Sequence, residues 1–333
     1  MQLLIGAQAL NRISDRAAGL LRDLEVVTLA APGRFERNGQ EIPTSQIDPD
    51  LIWSSLDLYK NGMLPDLLRV VLKGAKGQWM QTFNAGLDAP VFRAIMEKGV
   101  RITKSDAQSV PIAEYVVGHA ISLILPIARQ AELQGQKVWA PTPYKEIGQT
   151  RWTLIGYGAI GKAIAVRAKA FGAHVTVLRR QVAPDPLVDR VLGLEALGEV
   201  LQDSDVVVLA CALTDETRNL ADDSFFSGLQ AGSILINIGR GGLVDEDALR
   251  RGLAEGRPAH AVLDVFQTEP LPEDHWIWSH PQIRVSAHTS NSGEGVLERG
   301  DELFVANLSR YLSREALLNE ASREEVGLTN IVP

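Results

Sequence analysis

The sequence predicts an α/β protein built from two doubly wound parallel-sheet domains, and three observations carry that prediction. Short aliphatic and β-branched runs alternate with helix-period segments along most of the chain, the pattern of repeated strand–helix–strand units. Beyond residue 150 the strand-like runs are apolar throughout, as strands covered on both faces are. A chain of 333 residues, 45% hydrophobic and 22% charged, is long enough for two cores and too apolar to be disordered.

From residue 1 to about 100, "QLLIG", "EVVTLA", "LIWSSL" and "WMQTFNAG" read as strands, with "MLPDLLRVVL" and "APVFRAIMEKG" among the helices between them. This is the alternation of a small parallel α/β unit. Residues 109 to 135, "SVPIAEYVVGHAISLILPIARQAELQG", read as one long helix, apolar nearly all round. Such a helix is buried on most sides, against its own domain or a second subunit. A second series opens with "WTLIGYGAIGKAIAVRAKAFGAHVTVLRR", which is strand, glycine turn, helix and strand. "DSDVVVLAC", "GSILINIGRG", "HAVLDVF" and "IRVSAH" follow as further buried strands, with a helix starting near Asp245. One more long helix, roughly 294 to 312, precedes a polar tail.

Composition excludes several function classes. The net charge is −8, and no basic run interleaves with aromatics, so a nucleic-acid partner is not expected. The most apolar stretch, "VVGHAISLILPIA", is too short to span a bilayer, and the N-terminus lacks a basic leader. Membrane association and export are therefore not expected. A single cysteine, Cys211, precludes an internal disulfide and suits the cytoplasm. No metal site is expected.

"LIGYGAIGKAIA" sets Gly156, Gly158 and Gly161 directly after a strand and before a helix. The first glycine permits a tight turn, the second lets backbone approach a pyrophosphate, and the third lets the helix pack on the strand. The helix N-terminus then faces the anion. This marks the second domain as a Rossmann nucleotide-binding domain. In "LINIGRGGLVDEDAL" an arginine, Arg240, stands at the carboxyl end of a strand, the edge at which such sheets bind ligands. "LDVFQTEP" contributes Asp264 and Glu269, and "VSAHTS" contributes His288. Taken singly, each has a plainer reading: a glycine-rich turn, a solvated arginine, a structural histidine. On neighbouring strand ends they can converge as a general acid, its orienting carboxylate and an anion anchor. His119, His174, His260, His275 and His280 lack such company and are read as structural.

The set "GYGAIG", "NIGRGGLVDEDAL", "LDVFQTEP" and the histidine of "SAHTS", in this order and spacing, resembles the D-isomer-specific 2-hydroxyacid dehydrogenases. The resemblance is specific from about 150 to 290. It is looser in the first 100 residues, where "NAGLDAP" and "IAEYVVGHAISLIL" look like the family's substrate-loop and dimer-helix segments. Departures occur at Ala212 and Ala287, where the family often has proline, and in "KSDAQS" and "GQTRWTLIG". The resemblance implies a smaller, flavodoxin-like substrate domain, discontinuous over 1–101 and 290–333, and a Rossmann domain over 102–289. It implies that Arg240 binds the substrate carboxylate and polarises the ketone, that His288 is the acid/base and that Glu269 hydrogen-bonds His288. Ala85 and Gly86 would meet the carboxylate through their backbone. The cofactor would lie against Gly156, Tyr157, Gly158, Ala159, Ile160 and Gly161, against Arg179 and Arg180, and against Cys211, Ala212, Thr217, Ile238 and Asp264. It further implies a small 2-oxo acid or 2-hydroxy acid as substrate, of the glyoxylate or hydroxypyruvate kind, and a homodimer. Trp139 is the aromatic that would reach toward a neighbouring subunit's site. A phosphite-type anion dehydrogenase and a nucleotide-sensing regulator without turnover are alternatives on the same fold.

Arg179 stands eighteen residues beyond Gly161, followed by Arg180, about where a dinucleotide-binding unit carries an acidic residue for the adenosine ribose. Two cations there suit a 2′-phosphate and point to NADP. The plainer alternative is a pair of solvated strand-end arginines.

Overall fold

The computed structural model describes residues 1–328 and divides them into two compact units, one formed by 1–108 with the segment from 294 onward, the other by 109–293. The sequence expectation placed the first boundary after residue 101. That cut would fall inside a strand, because Arg101–Thr103 pairs in register with Trp79–Gln81.

In the first unit the chain runs β1 (Gln2–Gly6), α1 (Ala7–Leu21), β2 (Glu25–Ala31), β3 (Arg34–Arg37), β4 (Gln40–Ile42), β5 (Leu51–Ser54), α2 (Leu56–Lys60), α3 (Leu64–Lys73), β6 (Trp79–Thr82), α4 (Pro90–Glu97) and β7 (Arg101–Thr103). The sheet order is β4-β3-β2-β1-β5-β6-β7, and its parallel part, β2-β1-β5-β6-β7, has the flavodoxin-like order. The antiparallel strands β3 and β4 extend that parallel sheet at one edge. Their two-residue loop is Asn38-Gly39, with φ of 52° and 75°, a pair that takes the positive φ values a tight hairpin needs. Alternate strand residues fill two cores. Leu4, Ile52, Met80 and Ile102 face one side of the sheet, while Leu3, Ile5, Trp53 and Trp79 face the other.

The second unit begins with α5 (Ser109–Ile124) and α6 (Ile127–Gln136), bent by 52° with respect to each other. The single helix expected over 109–135 is therefore broken. Pro126 cannot donate to a helical carbonyl and crowds the preceding turn, and the chain changes course directly after the Leu125 amide bonds Ile121. Seven residues of α5 are buried but only Leu133 of α6 is. Among the described residues no single helix is long and apolar enough to cross a membrane. There follow β8 (Arg151–Ile155), α7 (Ala159–Ala170), β9 (His174–Leu178), β10 (Arg190–Leu192), α8 (Leu197–Leu201), β11 (Val206–Leu209), α9 (Asp223–Gly228), β12 (Ile234–Asn237), α10 (Glu246–Ala254), β13 (His260–Leu263) and β14 (Ile283–Val285). The sheet is wholly parallel in the order β10-β9-β8-β11-β12-β13-β14. The order reverses between β8 and β11, which puts the binding crevice of such a sheet at their carboxyl ends.

After Gly293 the chain returns to the first unit as α11 (Val296–Leu312). Phe304 stacks on Trp53 at 5.2 Å and on Trp79 at 5.8 Å, so this helix fills the core beneath β5 and β6. Arg12 of α1 joins Asp57 of α2 at 2.8 Å and Asp301 of α11 at 2.5 Å.

Candidate active site

The turn between β8 and α7 is built as its three glycines predict. Gly156 has φ of 103°, and a Cβ there would lie 2.6 Å from the backbone of Ala210 and Cys211, while one on Gly161 would lie 2.4 Å from the Gly156 carbonyl. Gly158 caps α7, whose first amides have no helical acceptor and face outward at the switch point. Tyr157 is buried, and its phenol is pushed up to about 12, chiefly by that burial. Arg179 and Lys162 each stand 5.7 Å from its ring centroid. Arg179 directly follows Leu178, which is in register with Ile155 just before the turn. It is half-buried, and Arg180 is exposed. Turn, helix N-terminus and cationic strand end fit a dinucleotide.

Other residues expected at the cofactor lie along the same sheet edge. Cys211 and Ala212 follow β11, and burial pushes the Cys211 thiol up to about 11. Thr217 fixes that loop by donating to the Ala212 carbonyl at 2.7 Å and accepting from the Thr214 amide at 2.8 Å. Ile238 follows β12 and is buried.

Arg240 stands two residues further on. Asn237, fully buried, donates to the Arg240 carbonyl at 3.0 Å and accepts from the Gly239 amide at 3.1 Å. Arg240 itself donates to the Gly239 carbonyl at 2.7 Å. Arg240 and Glu269 line one concavity of about 480 Å³, together with Arg218, Asn219, Phe266 and Gln267. Glu269 is held by the Phe266 amide, which donates to Oε1 at 3.0 Å, and its Oε2 lies 2.9 Å from His288 Nδ1. A carboxylate only accepts, so Nδ1 carries the hydrogen and Nε2 is left for an incoming group. Asp264 is buried beneath the His288 loop, with its carboxylate occupied by Ser286, Thr289 and Ser290. Ala85 and Gly86 belong to the first unit, in the loop after β6. That loop is braced by Gln108, which donates to the Phe83 carbonyl at 2.6 Å, and by the Asn84 carbonyl, which accepts from the Ser105 amide at 2.9 Å.

Among the remaining histidines, burial holds His119 and His260 below the usual imidazole range, and His275 pairs with Glu246 at 3.3 Å. Sequence reasoning missed the bracing groups Asn237, Ser286 and Tyr115. Only Asn237 carried a signal, as an amide at a strand end directly before "IGRG".

Fold and site together define a two-domain, dinucleotide-dependent dehydrogenase. Comparison with known proteins makes this specific. Residues 117–290 match the family model described as D-isomer specific 2-hydroxyacid dehydrogenase, NAD binding domain. Glyoxylate/hydroxypyruvate reductase A of Arabidopsis thaliana is 31% identical over 72% of this chain and 76% of its own length. The human glyoxylate reductase/hydroxypyruvate reductase is 33% identical over 74% and 77%. A D-isomer specific 2-hydroxyacid dehydrogenase family protein of Aeromonas salmonicida superposes with a TM-score of 0.74 at 26% identity, over 97% of this chain and 99% of that one. The chain belongs to the D-isomer specific 2-hydroxyacid dehydrogenase family.

Proposed function

We propose that the protein reduces small 2-oxo acids of the glyoxylate or hydroxypyruvate kind with NADPH, using His288 as the acid, Glu269 as its orienting partner and Arg240 as the carboxylate anchor. The contact of 2.9 Å between His288 Nδ1 and Glu269 Oε2 carries this reading, since it leaves Nε2 as the one ring nitrogen available to a carbonyl oxygen. When bound, the reduced nicotinamide supplies hydride to the carbonyl carbon. Glu269 fixes the ring through Nδ1, and Nε2 gives its proton to the oxygen as charge develops there. The planar fork of Arg240 suits a carboxylate. The assignment of the Ala85 and Gly86 amides to that carboxylate rests on the family resemblance.

Two cations at the end of β9 support the phosphorylated cofactor, and the names of the Arabidopsis and human relatives support the substrate class. The test is a panel of glyoxylate, hydroxypyruvate, pyruvate and phenylpyruvate, each with NADPH and NADH, followed by nicotinamide absorbance. The first two acids with NADPH are expected to give the highest kcat/KM. Cofactor binding without turnover of any 2-oxo acid would overturn the reading in favour of a regulator.

The pair α5–α6 is read as the contact of a twofold homodimer, supported by the fully exposed Trp139 and by Ile127, Val138 and Tyr144 close to it in the chain, all about half exposed. Light scattering at micromolar concentration is expected to report a dimer, and a monodisperse monomer would exclude it. One half-buried cysteine suits a cytoplasmic enzyme.

A further inference from the structure

One carboxylate holds the backbone around His288. Asp264 Oδ1 accepts from Ser286 Oγ at 2.6 Å, from the Thr289 amide at 2.8 Å and from the Ser290 amide at 3.2 Å, and its own carbonyl accepts from the His288 amide at 2.8 Å. His288 has φ of 52°, a left-handed conformation disfavoured for a residue with a Cβ, which persists only where surrounding bonds over-determine it. Ser286 has a second partner, the Tyr115 hydroxyl on α5, at 2.6 Å. The donor order follows from chemistry. A carboxylate only accepts, so the single Ser286 hydrogen goes to Asp264, and the phenol must donate to Ser286. Burial holds the Tyr115 phenol above its usual range, so this donor persists across the working pH. Its neighbours are the His119 ring, 4.3 Å away centre to centre, and Arg284, which reaches Ser122 at 2.5 Å and His119 Nδ1 at 3.5 Å.

We infer that Tyr115 and Ser286 are positioning residues for His288, acting through Asp264 as one directed chain of hydrogen bonds. The inference rests on His288 being the acid of the proposed reduction. Bonds in series polarise one another, and the Ser286 bond to a carboxylate is charge-assisted. Loss of the serine therefore removes more than loss of the phenol.

The test is a double-mutant cycle with Tyr115→Phe, Ser286→Ala, the double variant and Ser286→Thr, measured for kcat over a pH range and for cofactor affinity. Hydrogen exchange of the segment 286–292 is followed in parallel. Tyr115→Phe is expected to lower kcat severalfold and Ser286→Ala about tenfold, on the scale of one buried hydrogen bond. The double variant should be no worse than Ser286→Ala, because the phenol acts only through the serine. Ser286→Thr, which keeps the hydroxyl, should restore most of the rate and of any cofactor affinity lost through Asp264. Exchange at Thr289 and Ser290 should quicken in the alanine and phenylalanine variants. Additive losses, an unchanged kcat and pH profile, or unchanged exchange would each overturn the inference. The exchange arm reads the chain independently of turnover, so a wild-type protein inert toward every 2-oxo acid, yet with faster exchange in the variants, would sink the oxo-acid reading and leave the bracing of the loop standing.

Discussion

In the proposed reduction His288 needs its ring held in one orientation, and the bond that holds it comes from Glu269, itself pinned by the Phe266 amide. Replacing His288 by alanine should cut kcat by roughly 10² to 10⁴, the worth of a positioned acid, with cofactor affinity nearly unchanged. Near-normal turnover would mean that another group supplies the proton. Glu269→Gln should cost less, since an amide still bonds the ring but more weakly than a carboxylate does. At the other end of the cofactor, a charge-assisted hydrogen bond of about 1.5 to 3 kcal/mol corresponds to roughly a tenfold to over a hundredfold preference. NADPH should therefore exceed NADH in kcat/KM, with the preference eroded by salt, and Arg179→Asp should reverse it. Equal use of both cofactors by the wild type would return Arg179 and Arg180 to solvated strand-end charges. Arg240, Glu269 and His288 were legible because each lies in the loop that follows a parallel strand, where little else explains it. Ser286 and Tyr115 were not, because the partner of a hydroxyl depends on which strands and helices become neighbours.

Element by element, the strands of the second unit could be read almost directly, since burial on both faces makes each an unbroken apolar run. The bend at Pro126 was missed because α5 and α6 share one apolar texture across the break. The β3–β4 hairpin carried its Asn38-Gly39 signal within short, polar strands that composition alone does not reveal. Also invisible was the joint among α1, α2 and α11, where Arg12 serves two carboxylates, Asp57 and Asp301, whose side chains are 5% and 1% exposed. Arg12→Leu would leave both without a cation, a loss expected at about 3–5 kcal/mol at neutral pH, measured by urea unfolding. Burial raises the Asp301 carboxyl above its ordinary value, against the pull of Arg12. A raised value means that folding favours the protonated form. That contribution is fully present below the unfolded pKa and is lost as pH rises through the folded one. The deficit of Arg12→Leu should therefore shrink on mild acidification. A deficit that grows at lower pH would contradict this account.

At the scale of the whole molecule, the order in which residues appear differs from the order in which the units are completed. The first unit takes its opening strands from residues 1–108, yet the ring of Phe304 that stacks on Trp53 and Trp79, and the Asp301 that meets Arg12, come from beyond residue 293. The second unit contains everything it needs between 109 and 293. On the ribosome the first strands of the chain must therefore wait, with one face of their sheet uncovered, while the later-made nucleotide unit is able to fold ahead of them. A chain ending after Gly293 should keep a cooperative unfolding transition and cofactor binding from the second unit, while residues 1–108 become the protease-sensitive part. If that truncated chain instead kept residues 1–108 protected, α11 would be an ornament on an already finished domain. The expected result makes it the last-arriving wall, so chains stalled or nicked late in synthesis would expose the faces of Trp53 and Trp79 to chaperones and proteases.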